Sequence, residues 1–169
     1  LLEVSQPILS NNDIDKIKRI ENHTYGALKT QTISICYDKK NNPNLKFDKL
    51  LKTICSSIED LIIKKTCNII ILSDRDVNNE HIAIPALLAT SAVHHYLIKK
   101  GLRTKVGLVV ETGEARRVHD LCLLAGYGAE AINPYLAFYT LSKIIREHPE
   151  KITEEIAYEK YIKSVTKGM

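Results

Sequence analysis

"NIIILSDRDVNNEHIAIPALLATSAVHHYLIKKGLRTKVGLVVETGEARRVHDLCLLAG", Asn68 to Gly126, holds the alternation that decides the fold class. Together with Cys67 it opens on CNIIIL, an unbroken apolar run too short to be a helix of its own. Runs of that kind form strands covered on both faces, as in parallel sheets. PALLATSAVHHYLIKKG follows, with Pro85 suited to a first helical turn and Gly101 to the left-handed residue beyond the last one. KVGLVVE, Lys105 to Glu111, then repeats the strand pattern. EARRVHDLCLLAG, Glu114 to Gly126, repeats the helix pattern with another terminal glycine.

Outward from this stretch the alternation continues on both sides. AEAIN leads into Pro134 and the helical PYLAFYTLSKIIREH, and TEEIAYEKYIKSV forms a charged amphipathic helix at the end. Upstream, apolar residues at 47, 50, 51, 54, 55, 58, 61 and 62 follow the three-and-four spacing of a helix over Phe47 to Ile63. TQTISICY, Thr30 to Tyr37, is rich in β-branched residues and alternates in polarity, which predicts a strand exposed on one side and closed by the turn-prone DKKNNPN. Ser10 and Asp13 have the capping-box spacing, so NNDIDKIKRIE starts a short helix. Parallel strands are therefore expected near 30–37, 67–73, 105–111 and 129–132.

Repeated βα units with short right-handed connections imply an α/β fold with a four-stranded parallel sheet. It is either half of a (β/α)8 barrel or an open doubly wound sheet. The 169 residues, 44% hydrophobic and 26% charged, suit a single α/β domain. Within it, 1–29 reads as a lead-in, 30–148 as the βα core and 149–169 as a helix leading toward a following domain. The chain opens on LLEVSQPILS and stops at KSVTKGM, which suggests a segment of something longer.

Composition limits the function classes. The formal net charge of +4 is spread along the chain, and aromatics make up 6% of it, so the clustered basic stripe of a nucleic-acid binder is missing. No run of about 18 apolar residues suggests a membrane span, and no basic-then-apolar leader opens the chain, so a soluble cytoplasmic or organellar setting is expected. Cys36, Cys55, Cys67 and Cys122 form no CxxC pair and read as reduced, buried thiols.

In either architecture, ligands bind beyond the carboxyl ends of the strands, where helix N-termini present unpaired amides. SDRD, ETGEAR and Asn133–Pro134 occupy those positions, which makes Asp74, Arg75, Glu111, Glu114, Arg116 and Asn133 the candidate polar cluster. Asp74 with Glu111 has the composition of an acid–base pair or a divalent-metal site. The alternative is a structural clasp in which Arg75 or Arg116 bonds one of the two carboxylates. Gly113 before a helix could admit an anion, but one glycine is not a phosphate loop. His94 and His95 point about 100 degrees apart on a helix and cannot share a metal. His119 and Cys122 share a face but lack further ligands, so no metal site is expected. Cys122, inside LCLLAG, is expected in the core rather than as a nucleophile.

Asn68 to Phe138 closely resembles the central region of the large chain of glutamate synthase, and QPILSNNDIDKIK and TQTISICYD are similar to that region in the same order. Asp76 departs from the family pattern, which has glycine after SDR, and so does Tyr96, where a third histidine usually follows the pair. The resemblance implies a parent that takes ammonia from glutamine in an amidotransferase domain and passes it to a flavin barrel. There 2-oxoglutarate is aminated with the help of FMN, a 3Fe-4S cluster and a reductant, either nicotinamide or ferredoxin. None of those cofactor motifs lies in this sequence. The resemblance thus implies a connector bound to the amidotransferase and FMN domains of the same chain, with no catalytic residue and no cofactor of its own. The competing expectation is a stand-alone βα enzyme or small-ligand module using Asp74 and Glu111.

Overall fold

A computed structural model describes residues 2–38, 40, 47–148 and 152–169. The strands are β1 (Thr30–Ser34), β2 (Cys36–Asp38), β3 (Ile69–Ser73), β4 (His81–Ala83), β5 (Gly107–Glu111) and β6 (Ala131–Asn133). The α-helices are α1 (Asn11–Lys18), α2 (Phe47–Ile63), α3 (Ala86–Lys99), α4 (Val118–Gly126), α5 (Tyr135–Glu147) and α6 (Glu154–Gly168). The principal sheet runs β1-β3-β5-β6, every pair parallel. The order follows the chain without reversal. Helices α2, α3 and α4 join successive strands, and all three contribute to the core on one face, as in consecutive units of a barrel. A doubly wound sheet would reverse its strand order and divide these helices between two faces.

The all-apolar runs predict strands buried on both sides, and β3 is buried at every position. Ile70, Leu72, Leu108, Val110 and Ile132 face the connecting helices, together with Phe138 of α5 and Val165 of α6. Ile69, Ile71, Val109 and Ala131 face the other way and are covered by Ile14 and Ile17 of α1 and by Ile20. Each such side chain, wholly removed from water, contributes about 1.5–3 kcal/mol before entropy is charged against it. Helix α1 therefore occupies the face that lines the interior of a closed barrel. Its start is a capping box, Ser10 accepting from the Asp13 N–H while the Asp13 carboxylate accepts from Ser10. Just before it, Ile8 bridges Ile132 in parallel, with Ile132 N–H donating to Pro7 O at 2.7 Å and Leu9 N–H to Ile132 O at 2.8 Å. The N-terminal segment thus covers one sheet edge as well as one sheet face.

Several boundaries differ from the sequence reading. The strand expected over 30–37 breaks at Ile35, which is fully buried and accepts a hydrogen bond from Ile84 N–H. Its continuation, β2, leaves the main sheet and pairs antiparallel with β4, a pairing that the alternation over 30–37 does not predict. Strand β5 begins at Gly107 because Arg103–Lys105 forms a 3-10 turn. Helix α4 begins at Val118 rather than Glu114, since Glu114 and Asp120 spend their carboxylates on backbone N–H groups nearby. Gly101 has the expected left-handed conformation, with φ +66°. Cys122, expected in the core, is only half-buried, as is Cys36, while Cys55 and Cys67 are buried. Most of DKKNNPN, and the boundary between 148 and 149, lie outside the described residues.

Candidate functional site

The strands end in polar residues. Ser73, Glu111 and Asn133 stand in register on β3, β5 and β6 and point to the α1 side. Asp74 and Thr112 follow the last residues of β3 and β5, and Thr112 Oγ1 donates to the Asp74 carboxylate. The two carboxylates are engaged by separate donors, although Asp74 N–H donates to the Glu111 carbonyl at 3.1 Å and both act on the Tyr135 hydroxyl.

Glu111 is fully buried and completely engaged. Its Oε1 accepts from Arg75 Nε at 2.6 Å and Lys18 Nζ at 2.8 Å, and its Oε2 from Ser73 Oγ at 2.6 Å. Burial pushes the carboxyl up, but the bonds from Lys18 and Ser73 and the charges of Lys18 and Arg75 outweigh it. The net position is below the ordinary carboxylate range. Arg75 also lies over the Tyr135 ring, 4.4 Å from its centroid, and reaches Asn11 Oδ1 at 3.4 Å. This is the clasp anticipated for one of the arginines, made through a single guanidinium nitrogen.

Asp74 is closed off separately. Its carboxylate accepts from Thr112 Oγ1 at 2.5 Å and from Gly113 N–H at 3.0 Å, and it holds the Tyr135 hydroxyl. Burial, first, and then Asp74 raise the pKa of that hydroxyl. Gly113 is present for close approach: a Cβ there would stand 3.0 Å from the Tyr135 hydroxyl oxygen. Its N–H is committed to Asp74, so it is not offered to an anion.

Asn133 donates to Leu9 O at 2.9 Å and to Asn11 Oδ1 at 3.0 Å, while its own Oδ1 is buried without a partner. Glu114 lies beside the cluster and accepts from Ala86 N–H at 2.8 Å, satisfying an orphan amide at the start of α3. Arg116 stays outside it: its backbone N–H reaches Asp120 and its carbonyl accepts from Tyr161. Asp74, Arg75, Glu111 and Asn133 are thus brought together, with Glu114 adjacent and Arg116 apart. Lys18, Ser73, Asn11 and Tyr135 belong to the cluster and were not singled out in the sequence. Ser73 was legible inside SDRD, whereas Lys18 is 93 residues from its partner.

Neither departure from the family pattern disturbs the surroundings. Asp76 sits exposed in the turn closed by Val77 N–H to Asp74 O and has no positive φ, so glycine is not required. Tyr96 bonds Glu59 of α2 and lies under Lys100, tying α3 to α2. Among the described residues no group of three or more His, Cys, Asp or Glu could hold a metal, and no helix is long and apolar enough to cross a membrane. Burial pushes the thiols of Cys36, Cys55 and Cys67 up, which keeps them protonated and poorly nucleophilic.

Residues 1–169 match the family described as the glutamate synthase central domain. The chain is similar to the glutamate synthase [NADPH] large chain of Bacillus subtilis, 41% identical over 99% of this chain and 10% of that one. It is also similar to the glutamate synthase [NADH] of Schizosaccharomyces pombe, 36% identical over 99% of this chain and 8% of that one. The ferredoxin-dependent glutamate synthase of Antithamnion is 39% identical over 83% of this chain and 9% of its own. The chain spans about a tenth of the length of these relatives. A match over all 169 residues, at this identity, places the chain in the glutamate synthase central-domain family.

Proposed function

We propose that the chain is the connecting domain of a glutamate synthase, the enzyme that converts L-glutamine, 2-oxoglutarate and a reductant into two L-glutamate. In this reading it holds the amidotransferase and FMN domains of one polypeptide in register and performs no chemical step itself. The observation that carries the reading is the closed state of both rim carboxylates. Glu111 is held by Lys18, Arg75 and Ser73, and Asp74 by Thr112, Gly113 and Tyr135. A general base needs a free lone pair aimed at the proton it removes. The 3Fe-4S cluster belongs, in this reading, to another segment of the parent, because the four cysteines here are scattered along the chain; FMN is assigned elsewhere too, because the Gly113 N–H that could meet its phosphate is committed to Asp74.

The test uses a complete synthase carrying this segment with Asp74→Asn or Glu111→Gln. Glutamine hydrolysis and ammonia-dependent glutamate formation are each expected to stay within tenfold of the parent rate, assayed well below the melting temperature. A general acid or base contributes about 10²–10⁴-fold. A hundredfold fall in either half-reaction in a variant that remains folded would overturn the reading. It would favour a βα enzyme or small-ligand module acting through those residues.

A further inference from the structure

Arg103 ties together the turns at the amino ends of β5 and β6. Its guanidinium donates to Val106 O at 2.9 Å, to Gly128 O at 2.9 Å and to Glu130 Oε1 at 2.8 Å, and its Nε donates to His94 Nδ1 of α3 at 3.0 Å. An arginine carries donors and no acceptor, so the last of these bonds requires an unprotonated Nδ1. His94 is therefore held as the neutral tautomer with its proton on Nε2. A proton added at Nδ1 would set donor against donor and cation against cation across that 3.0 Å contact.

The surroundings decide which side chain gives way. The His94 ring is packed onto Gly128, where a Cβ would stand 2.2 Å from Nδ1, and the His95 ring lies edge-on with its centroid 5.2 Å away. Arg103, in contrast, borders a cavity of about 580 Å³ that it shares with His94, Lys105, Val109 and Glu130, and a released guanidinium can swing into it. Burial, the largest influence on His94, and then Arg103 and His95 oppose its protonation, while Glu130 favours it and Lys105 stands across the cavity.

We propose that His94 and Arg103 form a proton-released latch: protonation of His94 at Nδ1 expels Arg103 into the cavity and frees the turns before β5 and β6, while the sheet stays folded. Val106 O and Gly128 O, which Arg103 satisfies in the closed form, pass to water in the open one. The opening is local, because the groups that Arg103 holds lie in the turns and not in the central ladder. The open form takes up a proton more readily than the closed one. The latch is accordingly closed above about pH 6.5 and opens as pH falls below it, by at most about tenfold per pH unit down to the lowered value of the closed form. Every group involved belongs to this chain, so the inference does not depend on the connecting role.

NMR of the isotopically labelled 169-residue chain between pH 7.5 and 5 tests it. The ring nitrogens of His94 should report the Nε2–H tautomer at pH 7.5. As His94 titrates, the Arg103 Nε–H and the N–H groups of Lys105, Gly128 and Ala129 should lose protection with the same midpoint, by about tenfold after correction for intrinsic exchange. The N–H groups of Ile71 and Val110, in the central strands, should keep theirs. His94→Asn offers Arg103 an acceptor that does not titrate, and should hold the turns closed over the whole range. Arg103→Met should leave the turns open at every pH and raise the His94 midpoint, which keeps the test decisive if the asparagine disturbs α3. Glu130→Gln should retain the pH response, because His94 is the trigger. A protonated His94 beside a still-protected Arg103 Nε–H overturns the proposal. So does a response that survives in His94→Asn or vanishes in Glu130→Gln, or a loss of protection that spreads to Ile71 and Val110.

Discussion

Glu111 is a carboxylate without water, and its stability contribution depends on what replaces that water. Burial alone raises its pKa; the two cations and the Ser73 hydroxyl bring it below the ordinary range. A carboxylate with a depressed folded pKa supplies stability that is present above the unfolded value and lost as pH falls through the folded one. The stability difference between the parent chain and Glu111→Gln, from urea unfolding, should therefore be constant from neutral pH to about 4.5 and shrink below it. Arg75→Met should cost about 3 kcal/mol at pH 7, because it leaves a buried charge under-compensated. Lys18→Met should cost a similar amount. An effect below about 1 kcal/mol for both would mean the pairs behave as exposed surface contacts. Arg75 was legible as a partner because it lies beside Asp74 in sequence and just beyond β3, whose last residue pairs with Glu111. Lys18 was not, because only the packing of α1 on the opposite sheet face brings it there, and no local pattern encodes that.

At the scale of elements, the turn between α4 and β6 shows how one position is constrained from two directions. Gly128 has φ +113°, and a Cβ on it would stand 2.2 Å from His94 Nδ1 of α3. His94 cannot move aside cheaply: Arg103 Nε donates to its Nδ1 at 3.0 Å, and the same guanidinium bonds Val106 O, Gly128 O and Glu130. Gly128→Ala should destabilise by at least about 2 kcal/mol. Burial, then Arg103 and His95, lower the His94 pKa, against the opposing charge of Glu130. A histidine depressed in the folded state leaves the unfolded chain binding more protons, so stability falls as pH drops below about 6.5. The melting temperature should fall between pH 7.5 and 5, and His94→Asn, which keeps an acceptor near Nδ1, should flatten that slope. An unchanged slope in the variant would show that another group is responsible. The central strands and α2 were legible because an apolar run and a helical stripe are local signals. Strands β2 and β4 were not, since each is three residues long and exists only through pairing with the other.

For the whole molecule, the decisive arrangement is that the N-terminal segment packs against one face of the sheet. Residues 8–20 supply Ile8, Leu9, Ile14, Ile17 and Ile20 to the core, each buried, and cover apolar positions of β3, β5 and β6 that would otherwise face water. Lys18 then neutralises the carboxylate beneath. The capping box that starts α1 is legible in Ser10 and Asp13, but an amphipathic helix of eight residues does not announce which face of a sheet it will cover. Its placement follows from the connecting helices having filled the other face. A chain starting at Thr24 should accordingly lose more than a terminal helix. It would expose a strip of isoleucine and valine and leave Glu111 with Arg75 as its remaining charged partner. Such a chain should bind a hydrophobic dye and unfold without a cooperative transition in urea. Adding a peptide of residues 2–23 should restore cooperativity and suppress dye binding, because the missing layer is contiguous in sequence. A truncated chain that melts as sharply as the parent, at a similar temperature, would show that the sheet needs no second layer.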